Sequence, residues 1–454
     1  MKKIDAEPVI AVGLVTGKSR SARVTLNGRF RVSGAAVFDG GTYTVEIDER
    51  SIWLRGDTTA GEWRENVILE PADSQATFTV HDILFGIDFH WERREDQTFK
   101  GSLKFAISES GDLLVINLVE LEEYLTSVIS SEMSATANPD LLKAHSIISR
   151  SWLLAQIRPW YIERQADLSA SFVYVNSAGE RELTRWYARE SHTGFDVCAD
   201  DHCQRYQGVS KATEQSVFET IKSTRGKVLV DGDAICDARF SKCCGGMVEA
   251  YDAVWDPTTF KYLVPLYDGI DFPTEFKLPL TNEENARAWI SGRPAAFCNT
   301  DDSAVLSKIL PGFDQETRDF FRWKIEIEQD ELQELLRKKL EINFGAIKAL
   351  EPVERAESGR LVRLRIVGEK ERLIIGKELE IRRALSKSHL YSSAFIVEAV
   401  GGEIPEKFIL HGAGWGHGVG LCQIGAALMA EMGSEFAEIL THYYPGAALH
   451  LLYD

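Results

Sequence analysis

The chain has 454 residues, 44% of them hydrophobic, which is ample for a buried core and enough for roughly two or three domains. Its formal charge of -18 repels phosphate backbones and no basic run offsets it, so nucleic acid is excluded as an expected partner. No stretch reaches the ~18 consecutive apolar residues of a membrane-spanning helix, and seven cysteines, an odd number in a long chain, argue against a disulfide scaffold.

The opening "MKKIDAEPVIAVGLVTG" carries two lysines, but Asp5 and Glu7 break any apolar core of signal-peptide length. As written, the chain is expected to remain in the cytoplasm, unless it is a mature form with an added methionine. Residues 7–110 alternate apolar and polar positions, as in "GTYTVEIDERSIWLRG", with Gly, Asn and Asp between runs. This pattern predicts an antiparallel β platform. Leu121, Tyr124, Leu125, Val128 and Ile129 then fall on one helical face. After the break "ATANPD", Asn138 as cap and Pro139 at the first helical position predict a second helix to about Ile157. The pair is a helix hairpin with mixed exposed charge, which does not suit DNA reading.

Residues 159–210 read as loop-rich. A helix over "SKATEQSVFETIKST" follows, with Ser210 as its expected cap, and "GKVLVDGDAICDARF" predicts two strands joined at the "DGD" turn. Between 270 and 400, "RWKIEIEQDELQELLRKKL" reads as a strand and a capped helix, and "GRLVRLRIVGEKERLIIGKELEIRRAL" as a hairpin feeding a helix. A short helix over "SEFAEILTHYYPG" is closed by Pro445. The fold class expected is α+β.

Three stretches carry chemistry. Glu132 ends the first hairpin helix beside Val128 and Ile129. Desolvation there can raise a carboxyl pKa, as a general acid near neutral pH requires; the bland alternative is a solvated helix-end carboxylate. "HGAGWGHGVGLCQIGAALMAEMG", residues 411–433, crowds glycine around His411, Trp415, His417, Cys422 and Gln423. A phosphate loop would need a Lys-Ser/Thr pair, which is missing. A metal site from His411, His417 and Cys422 is a second option. A polymer groove fits best: glycines permit close backbone approach, Trp415 stacks on a pyranose, and His417 and Gln423 bond hydroxyl or acetamido groups. Its rival is a core tryptophan among tight turns. Finally, "HTGFDVCADDHC" sets His192, Cys198, His202 and Cys203 within twelve residues. Two thiols and two imidazoles suit structural zinc; a Cys198–Cys203 disulfide is the alternative in an exported protein.

The hairpin resembles the signature of the SpoIID/LytB family, the sporulation lytic transglycosylase and amidase-enhancer group. The matching positions are Tyr124-Leu125, Val128, Glu132-Met133, Leu142-Lys143-Ala144-His145 and Ser149-Arg150-Ser151-Trp152, with His145 in place of the usual Gln and Trp152 of the usual Tyr. Gly414 to Ala426 is similar to the family's second signature, with Cys422 where Ser is common, and "ILTHYYPGAAL" continues it. "FSKCCGGMVE" resembles a Ser-(x)-Ser-Ser-Gly-Gly segment, with Cys243 and Cys244 replacing serines.

The resemblance implies cleavage of the β-1,4 bond between N-acetylmuramic acid and N-acetylglucosamine in peptidoglycan, with a 1,6-anhydro ring formed and no water consumed. It puts the acid/base role on Glu132 and implies glycan-binding roles for Trp415, His417, Gln423, Arg150 and Cys244. No cofactor is required for that chemistry. Glycan strands are the expected partner and a cell-wall amidase a further one, with the cell envelope as the expected location. The alternative is a non-catalytic glycan-binding protein that enhances an amidase. The expected organisation is a β-rich part at 1–110, a catalytic core at 111–270, an inserted α+β region at 271–400 and a C-terminal core segment at 401–454.

Overall fold

The computed structural model of the chain describes residues 1–16, 19–32, 36–57, 59–86, 93–134, 136–157, 172–185, 192–200, 202–209, 214–310 and 319–454. Helices and strands are mixed throughout, an α+β fold. The chain divides into two compact units: residues 1–160, 191–228 and 449–454 form the first, and residues 161–190 and 229–448 the second. Among the described residues, no helix is long and apolar enough to cross a membrane.

The first unit holds two sheets. In the larger, strand Val9–Val15 pairs antiparallel with Leu113–Glu120 and parallel with the two-residue strand Val197–Cys198. Ser102–Ile107 and Asn66–Pro71 extend it antiparallel. In the other, Ser21–Asn27 lies between Thr77–Phe85 and Gly41–Asp48. Alternating burial follows from the two-residue period: in Gly41–Asp48, Tyr43, Val45 and Ile47 are buried and their neighbours face out.

Helix α1 (Leu121–Glu132) leaves the last strand of the larger sheet directly, and helix α2 (Pro139–Gln156) follows. Asn138 Oδ1 accepts the Asp140 N–H at 2.9 Å, and Pro139 occupies a position whose missing N–H costs no helical bond. The two helices pack together and bury Leu125, Val128 and Ile129 from α1, and Leu142, Ile147 and Ile148 from α2. Each such side chain contributes roughly 1.5–3 kcal/mol by leaving water. Both helices also bury serines, whose hydroxyls donate one turn back: Ser131 to Ser127 O, Ser146 to Leu142 O and Ser151 to Ile147 O. These bonds let small polar residues sit inside the hairpin without a desolvation penalty. Helix α3 (Gln215–Ser223) packs against both. It starts at Gln215, with Glu214 in the cap position, later than the sequence suggested, and Ser210 lies outside the described residues.

In the second unit, strands Ile347–Arg355, Leu361–Gly368 and Arg372–Gly376 form an antiparallel run. Strand Arg181–Thr184 adds to it in parallel, and Phe172–Val175 pairs with that strand. These two strands lie where the sequence read as loop; they pair with each other as a hairpin, and Arg181–Thr184 also pairs with a strand about two hundred residues away, so tertiary pairing and not local propensity alone places them in the sheet. Of the loop-rich stretch 159–210, residues 159–171, 186–191, 201 and 210 lie outside the described residues. A three-stranded sheet runs Arg322–Glu328, Pro405–Ala413, Phe395–Gly401. The helices here are α4 (Glu283–Ser291), α5 (Ser303–Ile309), α6 (Gln329–Leu340), α7 (Glu378–Ala384), α8 (Gln423–Glu431) and α9 (Phe436–Tyr443). The cap expected on α6 is not a side-chain bond: Glu328 makes none, and the helix relies on Asp330 and Glu331 in its first turn and Arg337, Lys338 and Lys339 in its last.

Candidate functional site

Glu132 is the last residue of α1 and is half-buried. The chain turns extended at Met133, whose side chain is buried with Val128 and Ile129, so the helix end is fixed from its apolar side. The carboxylate is fixed from the other: Oε1 accepts the backbone N–H of Arg205 at 3.2 Å. The residues around Arg205 are laced to the hairpin one by one. Gln204 accepts from Tyr124 Oη at 3.2 Å and donates to Ser149 O at 3.3 Å. Tyr206 stacks on Tyr124 with centroids 5.0 Å apart and donates to Asn117 Oδ1 at 2.6 Å. Gly208 O accepts from Ser127 Oγ at 3.0 Å. Burial first, then the nearby thiols of Cys203 and Cys198, hold the Tyr124 pKa well above that of a free tyrosine, so its hydroxyl stays a donor to Gln204.

The segment just before these anchors is the His/Cys loop. His192 Nε2 lies 3.2 Å from Cys203 Sγ, and His202 Nδ1 lies 3.6 Å from Cys203 Sγ and 3.8 Å from Cys198 Sγ. One donor atom from each of the four residues falls within 4.8 Å of every other. Neither cysteine is in a disulfide. His192 stacks on Phe195 at 4.7 Å, and Phe195 occupies the space a side chain at Gly13 would need. The Cys198 thiol is pushed up to about 11, first by its hydrogen bond with Cys203 and then by burial.

Arg150, expected to touch a glycan, is an interior residue. It is 0% exposed, and its Nε and Nη2 donate to Glu122 Oε1 and Oε2 at 3.0 and 2.6 Å. Glu122 also accepts from Gly226 N–H and from the Tyr453 hydroxyl. The pair ties α1 to α2 and offers no charge to a ligand.

The remaining expected glycan contacts lie in the second unit. Gly414, Gly416, Gly418 and Gly420 all have positive φ. Their close neighbours are the protein itself. A Cβ on Gly418 would overlap the Arg360 guanidinium, and one on Gly420 would overlap Arg239 O. The run is zipped to the segment before it: Trp415 and Cys243 exchange backbone bonds at 2.7 and 3.0 Å, and Phe240-Ser241 pairs in parallel with Leu421-Cys422. Trp415 is stacked on Tyr391 at 3.8 Å and 15°, so one of its faces is occupied. His417 Nδ1 accepts the Val419 N–H at 3.0 Å, and its ring meets Trp255 edge-on at 4.7 Å. Although some of its surface is open, dense surroundings and then Arg239, Arg382 and Arg360 hold the imidazole well below its usual pKa, in the neutral form. Gln423 is 2% exposed and Cys244 3%. Both are interior side chains, closed off by the segments zipped around them, and neither is placed to meet a polymer. His411 sits away from the run on strand Pro405–Ala413, bonded to Glu398 at 3.1 Å.

Sequence reasoning missed Arg205, whose backbone N–H reaches Glu132. It also missed Arg360, fully buried beneath the glycine run and bonded to Ser358 Oγ at 3.0 Å and Cys244 O at 3.2 Å. The neighbouring Glu249, pushed up in pKa by burial, accepts from Ser358 and from Ala250 N–H. A buried arginine carries no local sequence signal.

Residues 109–230 match the family described as Stage II sporulation protein, and residues 249–420 match a domain of unknown function, DUF8618. The chain is 23% identical over 328 residues to Stage II sporulation protein D of Bacillus amyloliquefaciens, covering 72% of this chain and 73% of that protein. It is 23% identical over 403 residues to a Brachyspira hyodysenteriae protein, covering 89% and 81%. It is 23% identical over 265 residues to the amidase enhancer of Bacillus subtilis, covering 57% of this chain but 35% of that protein. The first family match contains α1, α2, Glu132 and the His/Cys loop together. Residues 109–230 thus match the SpoIID family model, and that match together with the relatives named Stage II sporulation protein D and amidase enhancer supports a SpoIID/LytB assignment.

Proposed function

We propose that this protein acts on the cell wall as a peptidoglycan lytic transglycosylase, with Glu132 as its single acid/base. The observation that carries the reading is the half-buried Glu132 carboxylate at the end of α1, bonded by Arg205 N–H inside a SpoIID domain. In the reaction, protonated Glu132 gives its proton to the glycosidic oxygen as the C1–O bond breaks. The resulting carboxylate then takes the proton of the muramic acid 6-hydroxyl as O6 bonds to C1. Glu132 ends protonated, and neither water nor a second carboxylate is needed, unlike in hydrolytic glycosidases.

His192, Cys198, His202 and Cys203 fit a structural zinc ion: two thiols and two imidazoles, with donors close enough for one tetrahedral ion. When bound, such an ion cross-links the loop and supplies no reactive position, because the protein provides all four ligands. Through Gln204, Arg205 and Tyr206, the loop then orients Glu132.

A second reading rests on the match to an amidase enhancer: a non-catalytic module that binds glycan strands and stimulates a cell-wall amidase. Digestion of purified glycan strands, with and without stem peptides, by the wild type and by Glu132→Gln separates the two. Anhydro-muramic ends that form with the wild type and vanish with the variant support the transglycosylase. Strand binding by both proteins with cleavage by neither supports the enhancer. In either case the cell envelope is the place of action.

A further inference from the structure

Cys244, Asp268, Cys298 and Cys422 lie far apart in sequence, yet in the second unit one donor atom from each falls within 4.8 Å of every other. Cys244 is 3% exposed and the other three are 0%. Cys244 Sγ is 3.5 Å from Cys298 Sγ and 3.2 Å from Asp268 Oδ2, and no disulfide joins the thiols. We propose that these four residues form a second metal site, distinct from the His/Cys loop, that holds one zinc-class divalent cation with structural function.

Three features support a cation rather than a chance cluster. The first is spacing. A tetrahedral ion with Zn–S bonds of about 2.3 Å sets its ligand atoms about 3.3–3.8 Å apart, close to the two separations above. The second is orientation of the ligands. Asp268 Oδ1 accepts the Tyr443 hydroxyl at 2.6 Å, with His442 Nε2 at 3.7 Å, and this turns Oδ2 toward the sulfurs. Outer partners of this kind fix metal-binding carboxylates. Cys422 Sγ accepts two backbone N–H groups, from Cys244 at 3.2 Å and Gly425 at 3.4 Å, at the N-terminus of the nine-residue helix α8. Both the bonds and the helix dipole favour a thiolate there. The third is charge. A carboxylate and a thiolate side by side in a dry interior are costly unless protons or a cation compensate them. Three sulfurs exclude the hard cations calcium and magnesium and select zinc or a comparably soft ion.

The site joins the turn at Cys243–Gly246, the strand before Asp268, the segment at Cys298 and the start of α8. Cys243 adjoins it in sequence and is fully buried. The serine-to-cysteine departures noted at positions 243, 244 and 422 therefore converge in space. The proposal does not depend on the transglycosylase reading.

The test counts metal in the full-length protein. His192→Ala/His202→Ala removes imidazole ligands from the first unit and leaves the second unit intact. Mass-spectrometric metal analysis is expected to find one zinc ion per chain in this variant, and none once Cys298→Ser is added. Replacement by cobalt is expected to give a thiolate-to-cobalt charge-transfer band in the near ultraviolet that Cys298→Ser weakens. If Cys298→Ser fails to fold, native thiol titration of the His variant with and without chelator decides, since bound metal protects Cys244, Cys298 and Cys422 until it is removed. A folded His variant that binds neither zinc nor cobalt would overturn the proposal. A Cys244–Cys298 disulfide in the protein as isolated would overturn it as well.

Discussion

The Arg205 backbone N–H meets Glu132 Oε1 at 3.2 Å, two residues after Cys203 of the His/Cys loop. Loop and carboxylate are therefore one mechanical unit. Loss of the loop's donors should free the 204–208 segment and misplace Glu132 without removing it. His192→Ala and Cys203→Ser are expected to lower kcat for glycan cleavage by roughly 10- to 100-fold, as loss of outer-shell support commonly does. KM should change little. Steady-state kinetics on defined strands, alongside zinc content, check this; a variant that loses zinc but keeps full kcat would remove the loop from the positioning of Glu132.

Glu132→Gln retains shape and the acceptor for Arg205 N–H while removing the exchangeable proton. Stability is expected to stay within about 0.5 kcal/mol of the wild type, since the residue is half-buried and the bond survives. Cleavage should fall by roughly 10²–10⁴-fold, the usual share of a general acid. Urea melts and product analysis on the same preparation test both halves.

Arg150 and Glu122 predict a stability effect rather than an activity effect. Arg150→Met leaves the buried Glu122 carboxylate without its bidentate partner, which costs about 3–5 kcal/mol for a pair of this kind. Arg150→Met/Glu122→Leu removes both charges and should recover much of that loss. Denaturant unfolding followed by a probe in the first unit gives the coupling; equal destabilisation by the single and double variants would contradict it.

The hairpin was legible because its signals are local: Tyr124, Leu125, Val128 and Ile129 at helical spacing, and the Asn138-Pro139 start. The loop donors His192, Cys198, His202 and Cys203 were legible for the same reason. What escaped depends on distant partners. Cys298 has no motif around it and gains meaning only beside Cys244. Arg205 contributes a backbone group that every residue but proline has. The glycine run displayed its backbone freedom but not what approaches it, and the neighbour proved to be Arg239, Arg360 and Cys243 rather than open space.

His417 gives a pH dependence with a definite sign. Its folded pKa lies well below the usual value, chiefly through desolvation and then Arg239. A base depressed in the folded state stabilises above its unfolded pKa of about 6.5, and that stability is lost as pH falls toward the folded pKa. By about pH 5 the unfolded chain binds a proton the folded chain refuses, a loss of up to about 2 kcal/mol. His417→Gln, which retains an acceptor for Val419 N–H, should flatten the decline in Tm between about pH 7.5 and pH 5. An unchanged slope would mean that other groups control it.

Gly418 and Gly433 both hold left-handed φ, +78° and +97°, but their surroundings differ. At Gly433 nothing lies within 4 Å of a would-be Cβ, so Gly433→Ala pays only the backbone strain of about 1 kcal/mol. At Gly418 the same methyl would overlap the buried Arg360 guanidinium, which is already committed to Ser358 and Cys244 O and has little room to move. Gly418→Ala should therefore cost that strain plus about 1–3 kcal/mol of overpacking. Paired unfolding measurements read the difference. Equal costs at the two positions would mean that Arg360 yields easily, and that the glycine at 418 is required by its turn and not by the arginine beneath it.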